Sequence, residues 1–255
     1  MRVMQRIFRT LLVFVLLAVA GFAADDFAET KKKAEAGDAD AQNDLGYRYC
    51  KGDGVPKDEA EGAKWFRLAA EQGNPFSQGA LGALYATGGG LPKDSAEAVK
   101  WWRKAAEQGY AAAQSSLGDM YNNGIGVTKD SDEAVKWCRF AADQGNATSQ
   151  WRLGIMYSKG DGVPKDSAEA VKWFHKAADQ GHTGAQGSLG VMYALGEGVP
   201  KNLVQAHVWY NIAGARGIEA AKTNLGTIEE EMTFEQKAEA MKLARELFAK
   251  LPKGK

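Results

Sequence analysis

Few residues in this sequence belong to types that do chemistry, and their spacing decides what they are for. There are three histidines, His175, His182 and His207, and two cysteines, Cys50 and Cys138. No two of them stand at the separations that hold zinc in short Cys/His motifs. None of the histidines belongs to an H-E-x-x-H helix or lies beside a G-x-S-x-G nucleophile turn. The expectation is therefore no catalytic residue, no metal and no cofactor. The histidines read as surface residues on or near helices, and the cysteines as small buried or half-buried thiols.

Carboxylates come in pairs three residues apart: Asp58 with Glu61, Asp94 with Glu97, Asp130 with Glu133, Asp166 with Glu169. Asn202 and Gln205 continue the series. Paired carboxylates do general acid/base work when their surroundings differ. Here the surroundings are the same each time, and an acceptor followed three residues on by Glu or Gln is a helix capping box. Ahead of each pair runs a G-x-G loop, at Gly52/Gly54, Gly88/Gly90, Gly124/Gly126, Gly160/Gly162 and Gly196/Gly198. Glycine loops before helices can cradle phosphate. These have no strand before them and no G-K-S/T after them, so they read as turns.

The elements that carry these residues repeat. The second loop glycine recurs every 36 residues, as do Trp65, Trp101, Trp137, Trp173 and Trp209. Leu-Gly pairs at 45, 81, 117, 153, 189 and 225 keep the same step. A period of this length, held without slippage, marks a solenoid of stacked helix pairs. The first helix of each unit carries L-G-x-x-Y, with leucine and tyrosine in the core and glycine allowing close approach of a neighbour. In the sixth copy Glu229 stands in the tyrosine slot. The first loop glycine ends that helix in a left-handed conformation. The second helix follows the capping pair, with tryptophan and alanines on one stripe, as Ala98, Trp101, Ala105 and Ala106 show. Cys50 and Cys138 fall in the first and third repeats on different helices of the unit, so no disulfide is expected.

The ends differ from the middle. Residues 1–23 combine three arginines, the apolar run Leu11 to Ala20 and small residues up to Ala23. That is the pattern of a secretory signal peptide, cleaved after Ala23 or, as second choice, Ala20; a retained anchor is the alternative reading. Residues 24–36 read as a polar N-terminal cap helix, residues 37–226 as repeats and residues 227–255 as a C-terminal capping helix. In the last of these, Phe234, Ala238, Met241, Ala244, Phe248 and Leu251 are expected to close the stack. The 32 basic and 32 acidic residues balance, and removal of the three N-terminal arginines leaves 29 against 32. A faintly acidic chain lacks the basic excess of a nucleic-acid binder. The expected product is exported, periplasmic or secreted, with no membrane span after signal cleavage, and monomeric.

Taken together, L-G-x-x-Y, G-x-G-V-P-K-D and E-A-V-K-W-x-x-x-A-A-x-Q-G at a 36-residue step resemble the Sel-one-like repeat (SLR) family. That family is similar to the tetratricopeptide repeats, with a longer loop between the paired helices. The resemblance covers residues 37 to about 226 and is strongest in five copies. It implies an all-α fold: an α/α solenoid, wound as a right-handed superhelix, of about six 36-residue helix-pair repeats with capping helices. It also implies an adaptor or scaffold role, and many bacterial relatives are exported. A cysteine-rich subgroup with a disulfide in each repeat is not matched here. If the binding groove resembles the tetratricopeptide one, residues flanking L-G-x-x-Y line it. The candidates are Tyr47, Phe76, Asp119, Asn122, Asn123, Trp151, Ile155 and Lys159. Tyr47, Phe76 and Trp151 are the aromatic anchors for a protein or peptide partner, unless Trp151 is buried between neighbouring repeats. The rival expectations are a cell-envelope hydrolase acting on a β-lactam or peptidoglycan, and a glycan-binding module.

Overall fold

In the computed structural model, residues 26–252 are described. Within them the chain is all helix, without a strand, and divides into two compact units at the Tyr110–Ala111 boundary. The first unit holds α1 (26–35), α2 (Ala39–Lys51), α3 (Glu59–Glu71), α4 (Pro75–Thr87) and α5 (Ser95–Glu107). The second holds α6 (Ala111–Asn123), α7 (Ser131–Asp143), α8 (Ala147–Lys159), α9 (Ser167–Asp179) and α10 (Thr183–Leu195). It continues with α11 (Leu203–Ala215), α12 (Glu219–Glu229) and α13 (Phe234–Lys250). Even-numbered helices from α2 to α12 are first helices of a repeat, and α3 to α11 are second helices. Within each unit, consecutive helices from α2 to α5 and from α6 to α12 pack on one another, which is the helix-pair solenoid expected, and α13 packs back on α11. The signal-peptide segment 1–23 lies outside the described residues.

Each helix pair closes on the glycine of the Leu-Gly motif. Leu45, Leu81, Leu117, Leu153 and Leu189 are fully buried. The adjacent glycine has no side chain, and a second-helix residue lies directly on it. A Cβ at Gly46 would sit 2.7 Å from Phe66, at Gly82 2.6 Å from Trp102, at Gly154 2.5 Å from Phe174, and at Gly190 2.4 Å from Tyr210. Such distances are far inside van der Waals contact, so each glycine is required by a ring. In the third copy Cys138 takes the place of the ring.

The loops between paired helices have two glycine jobs. Gly52, Gly88, Gly160 and Gly196 cap the first helix in the left-handed region. The second glycine also has positive φ, and it meets the preceding repeat. A Cβ at Gly162 would lie 2.3 Å from the Ser131 carbonyl oxygen, and one at Gly198 2.2 Å from that of Ser167.

The expected capping boxes form only by half. Asp58, Asp94, Asp130, Asp166 and Asn202 accept from the backbone N–H groups of the first turn. Each such cap is worth about 1 kcal/mol. The return bond is absent because the cap residue's own N–H already donates to a tyrosine carbonyl: Asp58 to Tyr49, Asp94 to Tyr85, Asp166 to Tyr157. The glutamates turn instead to Lys64, Lys100, Lys136 and Lys172. A complete box exists at α13, between Thr233 and Gln236.

A ladder of glutamines ties the two helices of each repeat together, and through a further bond ties each first helix to the helix before it. Gln72 donates to Gln42, Gln108 to Gln78, Gln144 to Gln114 and Gln180 to Gln150. The accepting glutamines are buried, and Gln42, Gln78 and Gln150 donate in turn to the carbonyls of Ala34, Ala70 and Ala142. The ladder stops at Gln186, whose Oε1 is buried without a partner. The residue one period after Gln180 is Arg216. Its guanidinium bonds the carbonyls of Gly181 and Pro252 instead, holding the end of the chain against the last repeats.

The three histidines are not plain surface residues. His182 caps α10, accepting from the Ala185 N–H at 3.2 Å. His175 is half-buried against Tyr193 and Trp209. His207 is fully buried, and its Nε2 lies 2.9 Å from Glu229 Oε1. The glutamate in the tyrosine slot therefore has a partner in the same last repeats.

The α13 face also differs from expectation. Ala240 and Ala244 are buried, and Leu243, Leu247 and Leu251 pack against the core of the second unit, while Phe234, Met241 and Phe248 are exposed. Two apolar stripes run along this helix, and the one with smaller residues faces inward.

The ring-on-glycine contact is tested by two alanine substitutions. Gly82→Ala must displace Trp102, whose Nε1 is bound to the Gly79 carbonyl at 3.1 Å. It is expected to cost about 1–3 kcal/mol of stability. Gly226, in α12, has nothing within 4 Å of an added Cβ. Gly226→Ala is expected to gain up to about 1 kcal/mol from helix propensity. Urea denaturation of the two variants checks both signs.

Candidate interaction surface

In the first unit, successive first helices are linked along one side. The Ser77 hydroxyl donates to Asn43 at 2.8 Å, and Asn74 Nδ2 to Asp40 at 2.9 Å. On these helices stand Tyr47 and Phe76, 41% and 51% exposed. Neither is a loose ring. Tyr47 meets Phe66 edge-on at 5.0 Å, and Phe76 meets Tyr110 edge-on at 5.3 Å. Tyr110 in turn needs Gly79, where a Cβ would fall 2.5 Å from its ring. Burial pushes the Tyr47 hydroxyl pKa up, with Tyr110 adding to the shift. The four rings therefore form two edge-on pairs, each with one partly exposed member on a first helix. Phe66 and Tyr110 are the parts of these pairs that sequence reasoning did not single out.

The second unit has a more polar arrangement. Asp119 on α6 pairs with Arg152 on α8, Nε to Oδ1, at 2.6 Å. Burial raises the Asp119 pKa, and Arg152 opposes the rise. Next to Arg152, Trp151 is half-buried. Its ring lies 5.0 Å from His182 at an interplanar angle of 32°, and its Nε1 donates to Ser188 Oγ at 3.2 Å. Gly184 makes room for it, since a Cβ there would be 3.1 Å from the indole. Burial lowers the His182 pKa, and the Arg152 charge lowers it further. At neutral pH this ring is therefore the uncharged acceptor that its helix cap requires.

Arg152, which holds Asp119, also acts through its charge on His182, the ring that lies against Trp151. Ile155 packs against the core of this unit. Asn122 is half-buried, Asn123 is exposed and bonded to the Asp119 carbonyl, and Lys159 is exposed. A separate cavity of about 470 Å³ opens at the N-terminal ends of α8 and α10, lined by Asn146, Thr148, Gln180, His182, Thr183 and Pro252 among others. None of the eight candidate residues lines it.

Among the described residues, no group of three or more His, Cys, Asp or Glu is placed to hold a metal ion. Cys138 is buried, with its pKa pushed up to about 12 by burial, so it is a thiol and not a nucleophile. It and Cys50 are free. Among the same residues, no helix is long and apolar enough to cross a membrane.

Comparison with known proteins agrees with the repeat geometry. The Sel1 repeat profile matches residues 39–74, 75–110, 111–146, 147–182 and 184–218. The structure of c5321, described as a protective antigen present in uropathogenic Escherichia coli strains and displaying an SLR fold, superposes with a TM-score of 0.77 at 39% identity. That match covers 86% of this chain and 48% of the antigen, so the chain spans about half of its length. A Sel1 repeat protein from Oxalobacter formigenes superposes with a TM-score of 0.73 at 33% identity, over 88% of this chain and 96% of that one. The secretory immunoglobulin A-binding protein EsiB of Escherichia coli O6:H1 (strain CFT073) is 41% identical over 57 residues, which are 22% of this chain and 12% of EsiB. Proteins built from Sel1 repeats are typically protein-interaction scaffolds. With five consecutive matched repeats and the helix-pair solenoid they specify, this chain belongs to the Sel1 repeat family.

Proposed function

We propose that this protein is a non-enzymatic, exported scaffold that binds a protein or peptide segment along its first helices. The observation that carries the reading is the pair of supported aromatic residues on the first helices of the first unit. Tyr47 and Phe76 are each packed at right angles against a neighbouring ring and still partly open to solvent. Anchors fixed before binding lose little side-chain freedom on contact, which is how a few aromatic residues come to dominate an interface. In the second unit, Trp151 and the Asp119–Arg152 pair add a flat apolar surface next to charge. The export half of the reading rests on the composition of residues 1–23.

Site-specific photo-crosslinking tests the surface. A crosslinker at position 47 or 76 is expected to trap a discrete polypeptide, while one at Lys64 or Lys172, exposed on second helices, traps none. Secretory immunoglobulin A is a natural first probe, because a relative is named for binding it. Phe76→Ala is expected to weaken binding about tenfold or more, the size of a typical aromatic anchor, without changing the melting temperature. Adducts formed equally from positions 64 and 172 would contradict the reading.

Export is checked separately by N-terminal sequencing of the protein from the envelope or medium of a bacterial host. The mature chain is expected to begin at Ala24, and an intact Met1 in the cytosol would count against it.

A further inference from the structure

Among the described residues, the outward stripe of α13 is left largely uncovered. Phe234, Met241 and Phe248 are 82%, 44% and 44% exposed. Each is seven residues from the next, two helical turns, so they stand in one line, with Ala238 beside them. Large apolar residues gathered in a line on a surface mark a contact site more often than scattered ones do. Phe248 is steadied from its other side by the Arg216 guanidinium, 5.3 Å from the ring centre.

We propose that this stripe is the contact face of a homodimer, in which a second copy docks antiparallel, α13 on α13, with the two Met241 side chains at the twofold axis. A twofold interface must be self-complementary, the same patch serving on both subunits. The stripe meets that condition, because Phe234 and Phe248 lie equally far before and after Met241. Antiparallel pairing about Met241 sets Phe234 of each copy against Phe248 of the other.

Charge supports the same arrangement. Arg245 follows Met241 by four residues and Glu235 precedes it by six, on the same flank of the stripe. Antiparallel pairing brings Arg245 of one copy nearly level with Glu235 of the other, and the contact occurs twice. Both side chains are exposed, and neither forms an ion pair among the described residues. Arg245 Nε donates to the Met241 carbonyl, which lays the guanidinium along the stripe.

The opposite arrangement, one copy added head to tail, is disfavoured by the first unit. There α2 is already covered by α1, through the Gln42 bond to the Ala34 carbonyl and the Arg48–Asp26 pair. The solvent side of α1 carries Glu29, Lys31, Lys32, Lys33 and Glu35, all exposed. An apolar stripe set against these charges would desolvate them and offer no new partner in return. The dimer departs from the monomer expected from sequence.

Light scattering coupled to gel filtration tests this on the full mature chain. The wild type is expected to run as a dimer at high micromolar concentration. Met241→Glu, which places two carboxylates at the axis, is expected to weaken dimerisation at least tenfold with an unchanged melting temperature, since the residue is outside the core. Met241→Cys is expected to give a covalent dimer on mild oxidation, and Lys64→Cys none. A wild type that stays monomeric, or a dimer that Met241→Glu leaves intact, overturns the proposal. So does a monomer whose stripe binds phosphatidylcholine vesicles in a Met241-dependent way.

Discussion

The contact on which the rest of this structure depends is a ring lying on a glycine. Phe66 on Gly46, Trp102 on Gly82, Phe174 on Gly154 and Tyr210 on Gly190 set how closely the two helices of a repeat approach. With the leucine beside each glycine fully buried, the pair becomes a rigid unit. The tyrosine carbonyl at the end of the first helix then receives the N–H of the cap residue that starts the second, as from Asp58 to Tyr49. The glutamine ladder ties each repeat's first helix to the turn that ends its own second helix and to a carbonyl of the second helix before it. The last two devices use main-chain groups and buried amides, so they recur through the central repeats while the exposed side of the first helices is left to vary.

Departures from the pattern come in compensating sets. Where Cys138 replaces the ring, the neighbouring first helices carry the Asp119–Arg152 pair, whose charges act on the Cys138 thiol in opposite directions. Where Glu229 replaces the tyrosine, His207 takes a slot that holds valine in three earlier copies, and the two bond. Where Arg216 replaces glutamine, the Gln186 acceptor is left without a partner and the arginine anchors Pro252. The first set lies on the candidate interaction surface. The other two lie in the last repeats, where the stack stops following its own period.

The framework was legible because it repeats. Turn glycines, cap residues and the Leu-Gly motif keep the 36-residue step, and the helices fall where that step places them. The Gln42 to Gln186 series keeps it too, but a polar residue in a helix pattern does not reveal from sequence that it is buried. His182 stands in a cap slot that Asp38, Asn74 and Asn146 fill elsewhere, so its role was there to be found. The capping boxes were misread because the competing acceptor, a carbonyl nine residues earlier, is a matter of loop geometry. The α13 face was misread because two apolar stripes compete, and residue size favours the one with Phe234 and Phe248. Of the candidate site, the aromatic residues were legible as types. Their fixing by Phe66, Tyr110, His182 and Ser188 depends on packing that no single-helix pattern records.

The central claim is that partners meet the first helices and leave the second helices alone. Hydroxyl-radical footprinting of a complex reads this directly, because both helix sets carry exposed apolar reporters. Tyr47 and Phe76 report for the first helices, and Leu68 and Phe140, 45% and 47% exposed, for the second. Protection of Tyr47 and Phe76 with Leu68 and Phe140 unchanged is the predicted result. Protection of Leu68 and Phe140 with Tyr47 and Phe76 still open would contradict it.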